Sequence, residues 1–256
     1  PFKRIPFLQA IEHYGSDKPD LRIDLLIKDV TELLSGCGFG PFEGNVIKAV
    51  PVSGCDLTRK AIDKLCAEVE VQTAQKTYWF KLDEKGEIAG GIAKFINADP
   101  ALCEKVKSEL ALQPGSLVML SAGKKAVAQK TAGVARKLLG AACPGHMDEK
   151  QYALCWIVDF PMYEIGEESG ELQFGHNPFS MPHGGKEALL KAERGELDPL
   201  DIRACQYDLV CNGYELASGA ERNYDPEIMV KAFELVGLSE EDVRGKFPAM
   251  YNAFCY

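Results

Sequence analysis

The sequence lacks the features that would assign it to several common classes of protein. No apolar run approaches the 18 residues that a membrane-spanning helix needs, and no signal-peptide pattern is present. We therefore expect a cytoplasmic protein without a membrane partner. The chain has no G-x-S-x-G motif, no P-loop and no dinucleotide-binding glycine pattern. These absences argue against the best-known serine nucleophiles and nucleotide folds.

A cysteine framework is also missing. The nine cysteines lie at scattered spacings and form no C-x-x-C pair, which indicates neither a zinc cluster nor a set of disulfides. We expect most of them to fill the core of a protein in a reducing compartment. The chain begins at Pro1 without a methionine and ends in the apolar stretch "AMYNAFCY". We therefore expect it to be a piece of a longer protein.

The net charge of −9 is distributed unevenly. Residues 42–150 contain 16 Lys and Arg against 13 Asp and Glu, whereas the remainder contains 13 against 25. An acidic chain binds nucleic acid poorly on its own, because neutralising phosphates supplies most of that affinity. The mildly basic middle segment could still approach a polyanion that other contacts guide.

The pattern of elements predicts three blocks. Residues 1–41 contain a helix that ends near Gly15 and a second helical pattern that ends at Gly36. The second pattern is built on Ile27, Val30, Leu33 and Leu34. Residues 42–150 alternate strands and helices and read as an inserted α+β domain. Residues 151–256 contain antiparallel strands with helices to one side, including a long strand over 172–182. The predicted fold class is α+β.

The stretch "YDLVCNGYELASGAER" at 207–222 contains the strongest hairpin signal in the chain, Asn212-Gly213. Glu215 and Arg222 lie seven residues apart, so an unbroken strand would place them on opposite faces. A bulge at Ser218-Gly219 would bring both to one face. A carboxylate and a guanidinium on one concave face could then hold Mg²⁺ and a ligand carboxylate. The alternative is that Glu215 is an ordinary exposed strand residue.

Other polar residues on the neighbouring predicted strands extend this candidate pocket. They are Asp159, His176, Asn177 and Asp208. His176 could equally be a hydrogen-bonded structural residue, and Asn177 before Pro178 is most simply a turn residue. The residues alone therefore predict a possible anion and metal pocket on an antiparallel sheet, without naming a reaction.

Four stretches, in order along the chain, resemble the bacterial aspartyl-tRNA synthetase family of class II enzymes. They are "YGSDKPDLR" (14–22), "WIVDFPMYE" (156–164), "GHNPFSMP" (175–182) and "YDLVCNGYELASGAER" (207–222). The middle block is similar to the inserted domain of that family, which a subunit of the tRNA-dependent amidotransferase shares. The resemblance implies a partial class II catalytic core, built on an antiparallel sheet, with an inserted α+β domain.

The resemblance also implies an activity and roles for individual residues. Enzymes of this family join L-aspartate to ATP and pass the aspartyl group to tRNA(Asp), and some also to tRNA(Asn), usually as homodimers. By this resemblance Glu215 binds ATP and its Mg²⁺, Arg222 holds the aspartate carboxylate and His176 lies near the aspartate. Asp208 and Asn177 are supporting residues. The family often has two histidines where this chain has His176-Asn177, and an apolar residue at Glu221.

The family resemblance also implies what lies outside the chain. Class II motifs 1 and 2 and an anticodon-binding barrel would precede Pro1, and motif 3 would follow Tyr256. We therefore expect the fragment to be inactive alone. Two alternatives stay open: a non-catalytic RNA- or protein-binding module, and an amidotransferase subunit. The hairpin motif at 207–222 argues against the second alternative, because only the middle block would be common to both.

Overall fold

The computed structural model describes residues 1–166 and 168–255, with the Phe254 side chain excluded. The described chain divides into two compact units. The first, the four-strand unit, contains residues 1–7, 155–210 and 215–255. The second, the five-strand unit, contains residues 8–154 and the hairpin tip at 211–214. No helix among the described residues is long and apolar enough to cross a membrane.

The first part of the chain supplies the elements of the five-strand unit, after an initial strand. In order they are β1 (Lys3–Pro6), α1 (Phe7–Tyr14), β2 (Lys28–Asp29), α2 (Thr31–Leu34), β3 (Val46–Val52), α3 (Arg59–Thr73), β4 (Thr77–Leu82), β5 (Ile88–Ala89), α4 (Ala93–Ile96), α5 (Pro100–Glu109), β6 (Leu117–Gly123) and α6 (Lys125–Ala142).

The rest of the chain supplies the remaining strands and helices. They are β7 (Leu154–Pro161), β8 (Tyr163–Ile165), β9 (Leu172–Phe174), α7 (Gly185–Glu193), β10 (Arg203–Cys211), β11 (Tyr214–Ala220), α8 (Pro226–Glu234), α9 (Glu240–Lys246) and α10 (Pro248–Phe254). Short 3-10 turns occupy Gly40–Phe42 and Pro199–Asp201.

The four-strand unit is built on a sheet with the order β1-β7-β10-β11. β1 runs parallel to β7, with Arg4 beside Trp156, and β10 and β11 form a hairpin. Burial alternates along β10, as expected for a strand with one face against a core. Helices α7 and α8 pack with residues of β8 and of the start of β10 in a core of Met162, Tyr163, Leu189, Ala192, Ile202, Ala204 and Ala232.

The five-strand unit is an antiparallel sheet with the order β2-β3-β6-β4-β5. Its central strands are apolar on both sides because each face of the sheet packs against a separate core. Helices α3 and α6 contribute to one of these cores through Ile62, Val69, Ala132, Ala135 and Leu139. Small residues on α6 allow a close approach: Gly133 lies directly against the backbone of Gly15.

Three helices begin at residues whose side chains cap the first turn. The Asp99 carboxylate accepts a hydrogen bond from the Ala101 amide at 2.8 Å, and Pro100 is the first residue of α5. The Asp225 carboxylate caps α8 in the same way. Ser239 forms a capping box with Asp242 at the start of α9.

The second helical pattern predicted in residues 1–41 is wrong in extent. Only Thr31–Leu34 is helical, and Lys28–Asp29 pairs with β3 instead. The cause is the pairing of this segment with β3. Lys28 lies opposite Ala49 and Asp29 opposite Lys48, and the Val30 amide donates to the Ile47 carbonyl at 3.0 Å, so residues 28 and 29 are held in an extended conformation.

The strand predicted over 172–182 is also shorter than expected, since β9 covers only Leu172–Phe174. Asn177 starts a turn in which its Oδ1 accepts from the Phe179 amide at 3.0 Å. The strand that follows β4 is also short, since β5 covers only Ile88–Ala89 before α4 begins.

The structure contains a disulfide that the cysteine pattern did not predict. Cys55, in the loop after β3, bonds to Cys143 at the end of α6, 88 residues later. Both residues are buried in the core that α3 and α6 share. A pair so distant in sequence, without a spacing motif, becomes visible only when the fold brings both ends together.

The α+β fold class is confirmed, with antiparallel pairing in both main sheets. The compact units do not follow the three predicted blocks, because residues 8–41 belong to the same unit as residues 42–150. The assignment of residues 42–150 as an inserted domain therefore stays a prediction.

Candidate functional site

The candidate site begins at the tip of the β10–β11 hairpin. Asn212 and Gly213 have φ values of 52° and 84°, as a type I′ turn requires. The Asn212 side chain is anchored at both ends: its Oδ1 accepts from the Ala153 amide, and its Nδ2 donates to the Gln151 carbonyl, both at 3.0 Å. This turn fixes the register of the hairpin at its tip.

The register changes by one residue further along the hairpin. Continued from the tip, an unbroken ladder would pair Cys205 with Ala220, but the amide of Glu221 donates to the Cys205 carbonyl at 2.9 Å. A Cβ on Gly219 would lie 2.6 Å from the Tyr207 ring, so these two residues share a face. β11 therefore contains one extra residue, which is the definition of a bulge.

The bulge places the two charged residues of the hairpin on the same face of the sheet. Glu215 lies opposite Val210, and Asp208 is two residues before Val210, so Asp208 and Glu215 share that face. After the bulge, Arg222 returns to the face of Ala204, which is again the Asp208 face. We call the face that carries Asp208, Glu215 and Arg222 the carboxylate–arginine face.

Past the bulge, a short segment lies between β10 and the end of β11. Ser180 lies opposite Arg222, and Pro182 lies opposite Ala204. Met181 bridges the two strands, because its amide donates to the Glu221 carbonyl and its own carbonyl accepts from Cys205, each at 2.8 Å. We call residues 179–183 the wedge segment.

The wedge segment supports the Arg222 side chain. The guanidinium lies over the ring of Phe179, 5.6 Å from its centroid, and 3.9 Å from the sulfur of Met250. Phe179 in turn packs against Phe233 and Phe247 of the α8–α10 cluster. Arg222 remains exposed, so a well-supported cation faces solvent.

The remaining predicted residues surround this segment in different ways. His176 is exposed, and its ring makes edge contacts with Phe7 and Phe160 at 5.2 and 5.0 Å. Asn177 shapes the turn that leads to Phe179, so its structural role is established by contact. Asp208 is 3% exposed, whereas Glu215 is exposed.

The opposite face of the sheet carries a second group of polar residues. Glu221 lies there beside Cys205, turned away from the side of Arg222. Burial raises the pKa of the Cys205 thiol, and the carboxylates of Glu221 and Asp159 raise it further. Asp159 has a φ of 57°, and its Oδ1 lies 3.5 Å from Nε2 of His183.

Sequence reasoning missed the wedge segment and with it Ser180, Phe179 and His183. The only local signal was the turn at Asn177-Pro178, which shortens the preceding strand. Pairing of residues 180 and 222 is a long-range contact that no spacing rule reveals.

The chemistry available on the carboxylate–arginine face is the recognition of opposite charges. A planar guanidinium suits a carboxylate, and carboxylate oxygens suit Mg²⁺ together with phosphate oxygens. Among the described residues, no group of three or more His, Cys, Asp or Glu side chains is placed to hold a metal ion. A divalent ion here would complete its coordination shell with oxygens of water or of a bound substrate.

A family model described as tRNA synthetases class II (D, K and N) matches residues 1–256. The chain belongs to that family. It is 44% identical over 255 residues to an aspartate–tRNA ligase of Streptomyces coelicolor and 45% identical over 262 residues to an aspartate–tRNA(Asp/Asn) ligase of Acidiphilium cryptum. A ligase of the second type from Rickettsia felis is 41% identical.

These matches cover 99 to 100% of the chain but only 42 to 43% of each relative. The chain thus spans less than half the length of the curated relatives that it matches. The wedge segment and the hairpin lie within the matched region.

Proposed function

We propose that the chain is part of an aspartate–tRNA ligase, which activates L-aspartate with ATP and transfers the aspartyl group to tRNA. The observation that carries this proposal is the bulge in β11, which brings Glu215 and Arg222 to the same face as Asp208. A ligase of this kind must bind an amino-acid carboxylate and a nucleoside triphosphate side by side. Adjacent negative and positive groups on one sheet face suit that task.

Arg222 is proposed to hold the aspartate carboxylate. Its guanidinium is supported underneath by Phe179 and is exposed on its other side, so two parallel hydrogen bonds to a carboxylate are available. Glu221 does not compete for this guanidinium, since it lies on the other face of the sheet. His176 is proposed to lie near the bound aspartate, and Asn177 to hold the turn before Phe179.

Glu215 is proposed to hold Mg²⁺ with the phosphates of ATP, and Asp208 to support it. Mg²⁺ usually takes one or two carboxylates and completes its shell with phosphate and water oxygens, which these two residues fit. When bound, the ion would neutralise charge on the phosphates during attack at the α-phosphorus. The contribution of the protein is then positioning and fixed charge.

The partners proposed for the whole protein follow from the named relatives. They are tRNA(Asp), with tRNA(Asn) as a second acceptor suggested by the Asp/Asn names of several relatives. A second copy of the protein, as a homodimer, is proposed from the family resemblance alone. We also propose a cytoplasmic location. The net charge of +3 over residues 42–150 suggests a weak contact of that segment with the tRNA acceptor stem.

The test is aspartate-dependent ATP–pyrophosphate exchange by the full-length gene product. Arg222→Ala is expected to raise the KM for aspartate about 100-fold, because it removes a bidentate charged contact worth on the order of 3 kcal/mol. Glu215→Gln is expected to lower kcat and raise the Mg²⁺ requirement. Arg194→Ala, an exposed arginine paired with Glu187 and Glu196, is the matched control.

Glu221→Gln is the second control, since it changes a carboxylate next to Arg222 in sequence but on the opposite face. If the wild-type protein catalyses exchange and both Arg222→Ala and Glu215→Gln keep that activity, the proposed residue roles are refuted. A full-length protein with no exchange would favour the non-catalytic RNA- or protein-binding module instead.

A further inference from the structure

We propose that Ser180 and Gln206 complete the recognition of the amino-acid ligand beside Arg222. This inference rests on the function proposed above and extends it to two residues with no assigned role. Both side chains have a buried polar atom, Ser180 Oγ and Gln206 Oε1, without a hydrogen-bond partner among the described residues. Ser180 is fully buried, and Gln206 is 8% exposed.

Ser180 lies directly across from Arg222 in the wedge segment. The flanking hydrogen bonds, Met181 amide to Glu221 carbonyl and Asn223 amide to Phe179 carbonyl, make Ser180 and Arg222 a non-hydrogen-bonded antiparallel pair. In such a pair the Cα atoms are about 4.5 Å apart and the side chains lie on the same face. The hydroxyl of Ser180 therefore belongs to the carboxylate–arginine face.

Gln206 reaches the same face from β10. Ala204 lies on the face of Arg222, and Gln206 follows Ala204 by two residues along a regular strand. Asp208 comes two residues later, so Gln206 lies between the arginine and the carboxylate ends of the face. Gln206 is a diagonal neighbour of Arg222, and diagonal neighbours on adjacent strands are about 7 to 8 Å apart, a distance that long side chains span.

Buried polar atoms are normally hydrogen-bonded, so two unpaired ones on a single face indicate a partner that binds there. The two atoms differ in what they require. A serine hydroxyl can donate to a carboxylate oxygen that Arg222 already holds, whereas an amide oxygen only accepts. The ammonium group of an amino acid supplies the N–H that Gln206 Oε1 requires.

The first experiment is Ser180→Ala in the full-length protein, measured by aspartate-dependent exchange. We expect the KM for aspartate to rise about tenfold, the effect of losing one hydrogen bond to a charged group. The KM for ATP is expected to stay unchanged. The melting temperature is expected to stay the same or rise, because the lost hydroxyl has no protein partner.

Ser121→Ala is the matched control. The buried hydroxyl of Ser121 donates to the Ala128 carbonyl at 2.8 Å, so this variant should be less stable but should leave the KM for aspartate unchanged.

The second experiment separates the two residues with succinate, which keeps both carboxylates of aspartate but has no ammonium group. Ser180→Ala should raise the inhibition constant of succinate as well as the KM for aspartate. Gln206→Met should raise only the KM for aspartate. Gln129→Met is its control, since Gln129 is also buried and donates to Glu12 at 2.7 Å.

The outcomes distinguish this inference from the function on which it rests. A wild-type protein without aspartate-dependent exchange would overturn the proposed function itself. An active wild type with unchanged aspartate KM in both variants would overturn only the inference, and would mean that ordered water satisfies the two atoms. A rise in KM that the Ser121 and Gln129 controls share would also overturn it, because general destabilisation would then be the cause.

Discussion

At the level of single residues, Gly133 and Gly15 bring the backbones of α6 and of the segment after α1 into direct contact. A Cβ on Gly133 would lie 2.7 Å from the Gly15 carbonyl oxygen and 3.0 Å from its Cα. These are backbone atoms, so no side-chain rotation relieves the clash. The contact joins the end of α1 to the middle of α6, and only glycine permits it.

We predict that Gly133→Ala destabilises the protein even though alanine is the better helix former. The helix gains about 1 kcal/mol from propensity, but the clash with Gly15 costs more, for a net loss of roughly 1 to 3 kcal/mol. Gly245→Ala on α9 is the control, because nothing lies within 4 Å of its added methyl group. That variant should gain about 0.5 to 1 kcal/mol. Urea unfolding measures both, and a stabilised Gly133→Ala would contradict the contact.

The residues of the candidate site were partly predictable from sequence. The odd separation of Glu215 and Arg222 required a bulge for them to share a face, and Gly219 indicated where one could form. Ser180 was not predictable, because its face depends on the register of a segment that pairs across 42 residues with Arg222. Side-chain alternation is local information, whereas register across a long loop is not.

At the level of secondary-structure elements, a buried lysine connects four elements of the five-strand unit. Lys48 on β3 has a side chain with no exposure, and its ammonium pairs with Glu12 of α1 and, at 2.9 Å, with Asp29 of β2. Gln129 of α6 donates to the second oxygen of Glu12. Burial raises the pKa of both carboxyls, but hydrogen bonds outweigh this effect. Glu12 accepts from Lys48 and Gln129, and Asp29 accepts from Thr31 and Lys48. The net pKa of each is lowered.

This network should make stability depend on pH in the acid range. A lowered pKa means that the folded state favours the charged carboxylates, so the stabilisation is present above the ordinary values of 4.5 and 3.8. It is lost as pH falls through the lower folded values. We predict that Lys48→Met flattens this loss between about pH 5 and pH 3.

The same variant should cost roughly 2 kcal/mol at pH 7, less than for a fully buried pair because both acids are partly exposed. Lys107→Met, which removes only a surface pair with Glu104, should change stability by less than about 0.5 kcal/mol. Urea unfolding across this pH range measures both variants. An unchanged pH profile in Lys48→Met would show that Glu12 and Asp29 do not depend on the lysine.

Elements were predictable from sequence where the cause is local, as with the caps at Asp99, Asp225 and Ser239. They were not predictable where a partner distant in sequence binds the backbone, as β3 does with Lys28–Asp29. Arg136 binds three carbonyls more than 100 residues earlier, and burial lowers the pKa of its guanidinium to about 10. Ile27 and Leu34, which follow helical spacing, pack into different cores of the sheet.

The whole molecule contains one long-range covalent link among its described residues, Cys55–Cys143. Both ends lie in the five-strand unit, and no disulfide of the described chain lies in the four-strand unit. A link across 88 residues lowers the conformational entropy of the unfolded chain. By the loop-entropy relation this stabilises the folded state by about 4 to 5 kcal/mol. The stabilisation should therefore be confined to one unit.

We predict that dithiothreitol lowers the stability of the five-strand unit and leaves the four-strand unit unchanged. Amide hydrogen exchange followed by mass spectrometry separates the two, since protection should fall in β3, β6 and α6 but not in β7 or β10. A Cys55→Ala/Cys143→Ala variant should show the reduced behaviour from the start and should not respond further to dithiothreitol. If the wild-type protein is insensitive to dithiothreitol and no more protected in β3, β6 and α6 than the double variant, the two thiols are unpaired in solution, as the cysteine spacing alone predicts. The core at this position would then depend on packing among Cys55, Cys143 and Leu139 rather than on a covalent bond.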